Sequence, residues 1–263
     1  MKKHVFSTGG GVQSTACLVL AAQGKIPYRT FVFSNVGDKA ESPATIQYVN
    51  EIAKPYAKKH GIEWVDVCKV DRHGIASDLY DDCMFNEKSV SIPLHYQSGG
   101  LGFRNCTTKW KINPIAKWIR HNAKNCVLGV GISTDEPHRA KPARDNDGYT
   151  KAYPLIDLGL DRLGCLEIVR LAGLPQPPKS SCWFCPYHTT EAWTHRKRED
   201  PELFARAEKL EKVLRDRSVA MGKDPGYLTR HGKPLGVVIP DQFGLFPEWL
   251  DEQDGCESGY CMT

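Results

Sequence analysis

Three consecutive glycines stand between two apolar segments at the start of the chain: His4-Val5-Phe6-Ser7, then Thr8-Gly9-Gly10-Gly11-Val12-Gln13, then Ser14–Ala22. The first segment reads as a short strand and the last as a helix. A strand that turns on glycine directly into a helix commits the chain to an α/β architecture. The alternation continues. Phe31–Ser34 reads as a second strand, Ala44–His60 as a long helix and Trp64–Val67 as a third strand. Lys111–His121 follows as a helix and Cys126–Val130 as a fourth strand. Strands separated by helices run parallel and are joined by right-handed crossovers. The expected fold is an open, doubly wound parallel α/β sandwich with its ligand at the carboxyl ends of the strands.

The turn itself has chemistry. Glycine tolerates φ > 0 and lets backbone N–H groups close around an anion. A helix starting near Ser14 adds its positive end, and the Ser14 hydroxyl suits both a cap and a phosphate oxygen. Ser7, Gly9, Gly10, Gly11, Gln13 and Ser14 are therefore candidate phosphate-binding residues. A Walker loop needs a Gly-Lys-Ser/Thr ending, and no lysine stands here. A dinucleotide fingerprint needs a third glycine and an acid closing the second strand. This chain has Ser14 and Asn35 at those places. The competing bland reading is a tight strand–helix turn with no ligand.

The remaining length carries thiols. Cys182-Trp183-Phe184-Cys185 lies between Pro178 and Pro186, and Cys106 stands far upstream in Arg104-Asn105-Cys106-Thr107. Thiolates spaced in this way bind one centre, and the spacing suits zinc and an iron–sulfur cluster equally. Zinc would need a fourth ligand such as His188 or His195. Cys17, Cys68, Cys126 and Cys165 occupy apolar contexts and read as core residues, with Cys83 open. Ten cysteines in 263 residues exceed what a reduced core needs. A disulfide scaffold would be shorter and led by a signal peptide. The N-terminus reaches glycine too soon for one, so the expectation is a cytoplasmic protein. No apolar run approaches a membrane span. Net charge of +4 suits anionic substrates without requiring nucleic acid.

Organisation follows from composition. Residues 1–174 read as the α/β domain. Pro175-Gln176-Pro177-Pro178 reads as a stiff connector into residues 175–263, which hold the CxxC pair, a charged helix over Pro201–Arg217 and a tail with Cys256 and Cys261. The polar stretch Asp71–Gly102 is either a lid or an excursion that carries Cys106 to the site. The tail is either a frayed terminus or a mobile redox arm. Arg196, Lys197 and Arg198 read as a solvated helix face, with a nucleic-acid contact as the sharper alternative beside Trp183, Phe184, Tyr187 and Trp193.

Over roughly residues 1–190 the chain resembles the PAPS reductase-like branch of the adenine-nucleotide α-hydrolases. Gly10, Gly11 and Ser14 match the family's Ser-Gly-Gly-x-Asp-Ser loop. Ser34-Asn35-Val36-Gly37 with Pro43-Ala44-Thr45 is similar to its Asp-Thr-Gly…Pro-x-Thr stretch. Cys106, Lys111 and Pro114 resemble its Cys-Cys-x-x-Arg-Lys-x-x-Pro segment. Gly131, Glu136 and Arg139 fall in the stretch similar to its Gly-x-Arg-x-x-Glu-x-x-x-Arg element, and Tyr153–Asp157 is like its Pro-Leu-Ile-Asp strand start. Three departures stand out. Gln13 replaces the loop aspartate, Thr107 replaces the second cysteine of the pair, and the reductase tail motif is replaced by Gly255-Cys256-Glu257-Ser258-Gly259-Tyr260-Cys261.

The resemblance implies ATP or an adenylyl sulfate (APS or PAPS) on Gly9–Ser14, with Mg2+ in doubt because of Gln13. Backbone at Phe33, Ser34 and Asn35 would hold adenine or ribose. Arg139, Glu136 and Lys111 would manage developing charge. Cys106, Cys182 and Cys185 would converge on a [4Fe-4S] cluster with one open iron, zinc being the alternative. The favoured activity is ATP-dependent adenylation of an acceptor, then sulfur transfer. The acceptor would be a nucleobase, nucleic acid or small metabolite, and the sulfur donor a cysteine desulfurase or sulfide. The runner-up is thiol-dependent reduction of APS or PAPS, with Cys256 or Cys261 as nucleophile. A zinc-stapled nucleotide-binding protein without turnover is the third reading. Oligomerisation is open.

Overall fold

A computed structural model describes residues 2–144 and 147–240, so Cys256 and Cys261 lie outside the described residues. In chain order the elements are β1 (His4–Thr8), α1 (Val12–Ala22), β2 (Thr30–Asn35), α2 (Pro43–Tyr48), a π-turn over Val49–Ala53, α3 (Lys54–Lys59), β3 (Glu63–Cys68), α4 (Leu79–Phe85) and β4 (His95–Tyr96). A second π-turn over Thr107–Ile112 leads into α5 (Asn113–Asn122), β5 (Cys126–Val130), a 3-10 turn Pro137–Arg139, β6 (Tyr149–Ala152), α6 (Pro154–Asp157) and α7 (Arg162–Leu171). Then come α8 (Thr190–Glu199), α9 (Pro201–Ala220), β7 (Gly226–Tyr227) and α10 (Leu235–Val238).

The chain divides into two compact units. The first comprises residues up to Ser77 together with Thr107–Ser181. Its five strands form one parallel sheet in the order β3-β2-β1-β5-β6. Successive residues point to opposite faces, as the strand period demands. Phe6 and Phe31, in register, pack with α1, α7 and the α2–α3 segment. Val5, Val32 and Leu128 pack on the other face against Ile115 and Ile119 of α5. Both faces are therefore covered, which is the expected open parallel sandwich.

Local chemistry sets the helix limits. The first helix starts at Val12, earlier than the Ser14 expected, because Gly11 serves as N-cap with extended backbone. It ends at Gln23, where Gly24 takes φ +74° and Lys25 N–H reaches back to Leu20 at 2.9 Å. With Gly24 N–H donating to Ala21 O at 3.1 Å, this bond makes a Schellman stop. The single helix expected over Ala44–His60 is interrupted at Val49–Ala53, just before Pro55. Proline offers no N–H to the ladder, and the preceding turn widens. Pro114 stands in the same relation to the Thr107–Ile112 turn. Two further corrections concern strands. Pro154–Asp157, expected to begin a strand, is a short helix with proline in its first turn, and the strand is Tyr149–Ala152 before it. Cys68, expected in the core, closes β3 half-exposed.

The second unit comprises Asp78–Cys106 and, among the described residues, 182–240. Its axis is α9, capped by Asp200 at Leu203 N–H (2.9 Å), with Leu203, Ala207, Leu210 and Leu214 buried along the expected stripe. Arg217 donates to the carbonyls of Cys83 (2.8 Å) and Met84 (3.0 Å), satisfying the end of α4. Buried Glu211 accepts from the N–H groups of Leu228 (2.8 Å) and Leu235 (2.7 Å), which fixes the segment around β7 and α10. The two units interleave along the chain. Residues 78–106 leave the sheet because α4 and β4 find their partners in α9 and β7.

Candidate functional site

The sheet order places the chain reversal between β1 and β5: from β1 the chain moves outward to β2 and β3, and later returns on the far side as β5 and β6. Open α/β sheets bind ligands at such a switch point, beyond the carboxyl ends of the strands. The glycine turn follows β1 and Gly131 follows β5, so both sit at this crevice. Gly10 has φ +74°, and a Cβ there would lie 2.9 Å from Val49 Cγ2 and 3.2 Å from Thr45 Cγ2. Only glycine fits. A Cβ on Gly131 would lie 3.4 Å from the backbone of Gln13 and Ser14. The turn is therefore hemmed in by Gly131 on one side and by α2 and Val49 on the other. No side chain caps α1, which leaves its first N–H groups to the crevice.

The remaining candidates take more specific places. The Ser14 hydroxyl donates to Gly11 O at 3.0 Å, so it braces the turn from inside and does not act as the N-cap. Gln13 is half-exposed in the first turn of α1, and Ser7 is buried in β1 between Val32 and Val130. Phe33 turns its ring towards Gly10 and against Trp64. The Ser34 hydroxyl donates to Trp110 O at 2.8 Å. Asn35 is occupied by its own turn, accepting from Gly37 N–H (2.9 Å) and donating to Asp38 (2.7 Å). Glu136 and Arg139 form a buried ion pair across the 3-10 turn after β5, 2% and 5% exposed. The carboxylate holds the guanidinium in place. Lys111 is buried with its Nζ 4.0 Å from Glu41. Lys109, Lys141 and Arg144 are exposed.

Cys106, Cys182 and Cys185 all fall in the second unit and are half-exposed. The CxxC run is a tight turn: Cys185 N–H donates to Cys182 O at 3.1 Å, and His188 N–H to Cys185 O at 3.0 Å. Two histidines brace it. His188 Nε2 lies 3.0 Å from Cys182 O, and His95 Nε2 lies 3.1 Å from Pro186 O. A carbonyl only accepts, so each Nε2 carries a proton. Burial pushes His95 below its ordinary pKa, so it stays neutral. Trp183 and Phe184 are fully buried against Tyr80, and Arg206 lies 5.0 Å over both Tyr80 and Trp183. Three soft thiol donors suit a zinc ion or an iron–sulfur cluster in kind. Among the described residues, however, no group of three or more His, Cys, Asp or Glu side chains is arranged to hold a metal ion. Cys17, Cys126 and Cys165 are buried, with their thiol pKa values raised by burial, as core cysteines should be. Cys83 joins them.

Several solved structures are similar to this chain, two of them as follows. A phosphoadenylyl-sulfate (PAPS) reductase from Candida auris, in a phosphate complex, matches at 12% identity and TM-score 0.44, over 67% of this chain and 76% of that one. The U34-tRNA thiolase NcsA from Methanococcus maripaludis, with its [4Fe-4S] cluster, matches at 13% identity and TM-score 0.41, over 84% and 72%. No protein-family model matches the chain, and no curated protein is similar to it in sequence.

Three residues of the crevice escape sequence reasoning. Ser180 places its hydroxyl 2.7 Å from where a Gly11 Cβ would stand. Glu41 is a buried carboxylate beside Lys111. Lys69 sits 3.9 Å over the Trp110 ring. Each contact joins positions remote in the chain, and only the polar run around Ser180, leading into the CxxC pair, gave any signal.

Proposed function

We propose that the chain is an enzyme that binds an adenine nucleotide with its phosphates on Gly9–Ser14 and activates an acceptor by adenylation for sulfur transfer. The observation that carries this reading is the turn at the switch point: left-handed Gly10, an uncapped helix start, and Gly131 close behind it. Backbone N–H groups of Gly11, Val12 and Gln13 would bind phosphate oxygens, and the α1 dipole favours their charge. Arg139, held by Glu136, would balance charge developing at the α-phosphate as pyrophosphate leaves. Lys111 would hold an oxygen of the phosphate chain or of the acceptor. Gln13 can orient a magnesium-bound water but offers no anionic ligand, so Mg2+ would ride on the phosphates.

Cys106, Cys182 and Cys185 would hold an iron–sulfur cluster, which when bound supplies a site for a sulfur atom; zinc is the chemical alternative. The braced CxxC turn supports a preformed pair of ligands. The acceptor and the sulfur donor, whether a desulfurase or sulfide, belong to the same proposal, as does a nucleic-acid acceptor.

Anaerobically prepared protein should release pyrophosphate from ATP in the presence of its acceptor, and the double variant Cys256→Ser/Cys261→Ser should retain that release. Sulfite formed from an adenylyl sulfate, and lost in the double variant, would replace adenylation by thiol-dependent reduction. Quantitation of iron, acid-labile sulfide and zinc decides the metal.

A further inference from the structure

The connector that leads towards the CxxC pair ends against the glycine turn. Pro175, Pro177 and Pro178 stiffen it. The Tyr48 hydroxyl of α2 donates to Pro175 O at 2.9 Å, which fixes its start. Its far end places the half-buried Ser180 beside the turn. Connector, Tyr48 and turn all belong to the first unit.

The three glycines face two ways. A Cβ on Gly10 would meet Val49 and Thr45, whereas a Cβ on Gly9 or on Gly11 would meet the Ser180 hydroxyl, at 3.6 and 2.7 Å. The backbone nitrogen of Ser180 lies 3.9 Å from the same Gly11 position. Gly11 is the N-cap of α1. The space left by its missing side chain is where a capping oxygen would bond the first N–H groups of the helix. Ser180 brings a hydroxyl to that space from a remote part of the chain. The hydroxyl makes no hydrogen bond among the described residues. The first backbone bond of the helix is Thr15 N–H to Gly11 O at 3.0 Å, so the N–H groups before it point into the same space. Helix N–H donors on one side and a hydroxyl donor on the other therefore share a space in which neither satisfies the other. An anionic oxygen placed between them accepts from both, and hydrogen bonds to a charged oxygen are the stronger kind.

We infer that Ser180 is a phosphate-binding residue, whose hydroxyl donates to a phosphate oxygen that also accepts from the first N–H groups of α1. The inference rests on the nucleotide reading above and adds to it a side chain from outside the turn. Ser180 would close the phosphate site on the side of Gly9 and Gly11, opposite the wall that Val49 and Thr45 form at Gly10.

Calorimetric titration with ATP of wild type, Ser180→Ala and Ser180→Thr tests this, together with thermal melts of the three proteins without nucleotide. Ser180→Ala should bind ATP about tenfold more weakly than wild type, the loss expected for one hydrogen bond to a charged oxygen. Without nucleotide it should melt with wild type, because the hydroxyl has no partner to lose. Ser180→Thr keeps the hydroxyl and should bind ATP more tightly than the alanine variant. An alanine variant that binds ATP as wild type does overturns the inference. So does one whose melting temperature without nucleotide falls together with its affinity, since that marks a packing role. A threonine variant that binds no better than alanine overturns it as well. Wild type that binds no ATP refutes the nucleotide reading itself, and the wild-type titration alone identifies that failure.

Discussion

Gly10→Ala should destabilise the fold, and Gly11→Ala should not. At Gly10 two costs add. A side chain at φ +74° costs about 1–2 kcal/mol. The new Cβ would also meet Val49 Cγ2 at 2.9 Å and Thr45 Cγ2 at 3.2 Å. Thr45 is fully buried and Val49 nearly so, so neither neighbour can yield cheaply, and overpacking of this kind adds about 1–3 kcal/mol. The sum is about 2–5 kcal/mol, which for a chain of this size lowers the melting temperature by roughly 5–20 °C. At Gly11 the backbone is extended (φ −95°) and the only close contact is the Ser180 hydroxyl at 2.7 Å. That hydroxyl can rotate, at a cost of about 1 kcal/mol or less. Thermal and urea unfolding of both variants reads the difference directly. Gly10→Ala melting with wild type, or Gly11→Ala proving the less stable of the two, would refute the geometry of the turn.

Glu136→Ala should cost about 3–5 kcal/mol in urea unfolding, because it strands the buried Arg139 guanidinium without its partner. Burial raises the pKa of Glu211 in the folded chain. A carboxyl with a raised folded pKa favours the fold below its ordinary range, and that contribution is lost as pH rises through the raised value. Glu211→Gln should flatten this decline in melts between acidic and neutral pH, and should also lower stability overall, since an amide cannot accept both Leu228 and Leu235 N–H groups. Cys182→Ser and Cys185→Ser should each abolish stoichiometric iron or zinc in metal analysis. Metal retained in full by both variants would show that the pair is not its ligand.

The sheet was legible because its signals are local. Apolar runs near Val5, Phe31, Val65 and Val127 alternate with helices, and every one of these strands exists within a residue or two of its expected limits. Tyr149–Ala152 escaped, because Thr150 and Lys151 give an edge strand no apolar pattern. The glycine turn was legible for the same reason, yet sequence treats Gly10 and Gly11 alike. The left-handed backbone of Gly10 and the closeness of Val49 and Thr45 to it separate them. Glu136 and Arg139 were singled out by the resemblance, and their ion pair joins residues three apart. Glu41 with Lys111, and Lys69 with Trp110, were not legible, since those contacts are made by tertiary packing between distant segments. The unit formed by Asp78–Cys106 with the C-terminal helices was hidden as well. Its pairing depends on Arg217 and the short β4–β7 ladder, and neither leaves a period in the sequence.

Calorimetric titration of ATP into wild type and into Gly11→Ala tests the central claim most directly. The variant keeps the fold, so a change in heat reports on the site alone. A Cβ at Gly11 would stand in the path of a phosphate approaching the first N–H groups of α1. Saturable, one-to-one binding to wild type with loss of binding to folded Gly11→Ala is the predicted result. Equal affinity in the two proteins, or folded wild type that binds neither ATP nor an adenylyl sulfate, would contradict it.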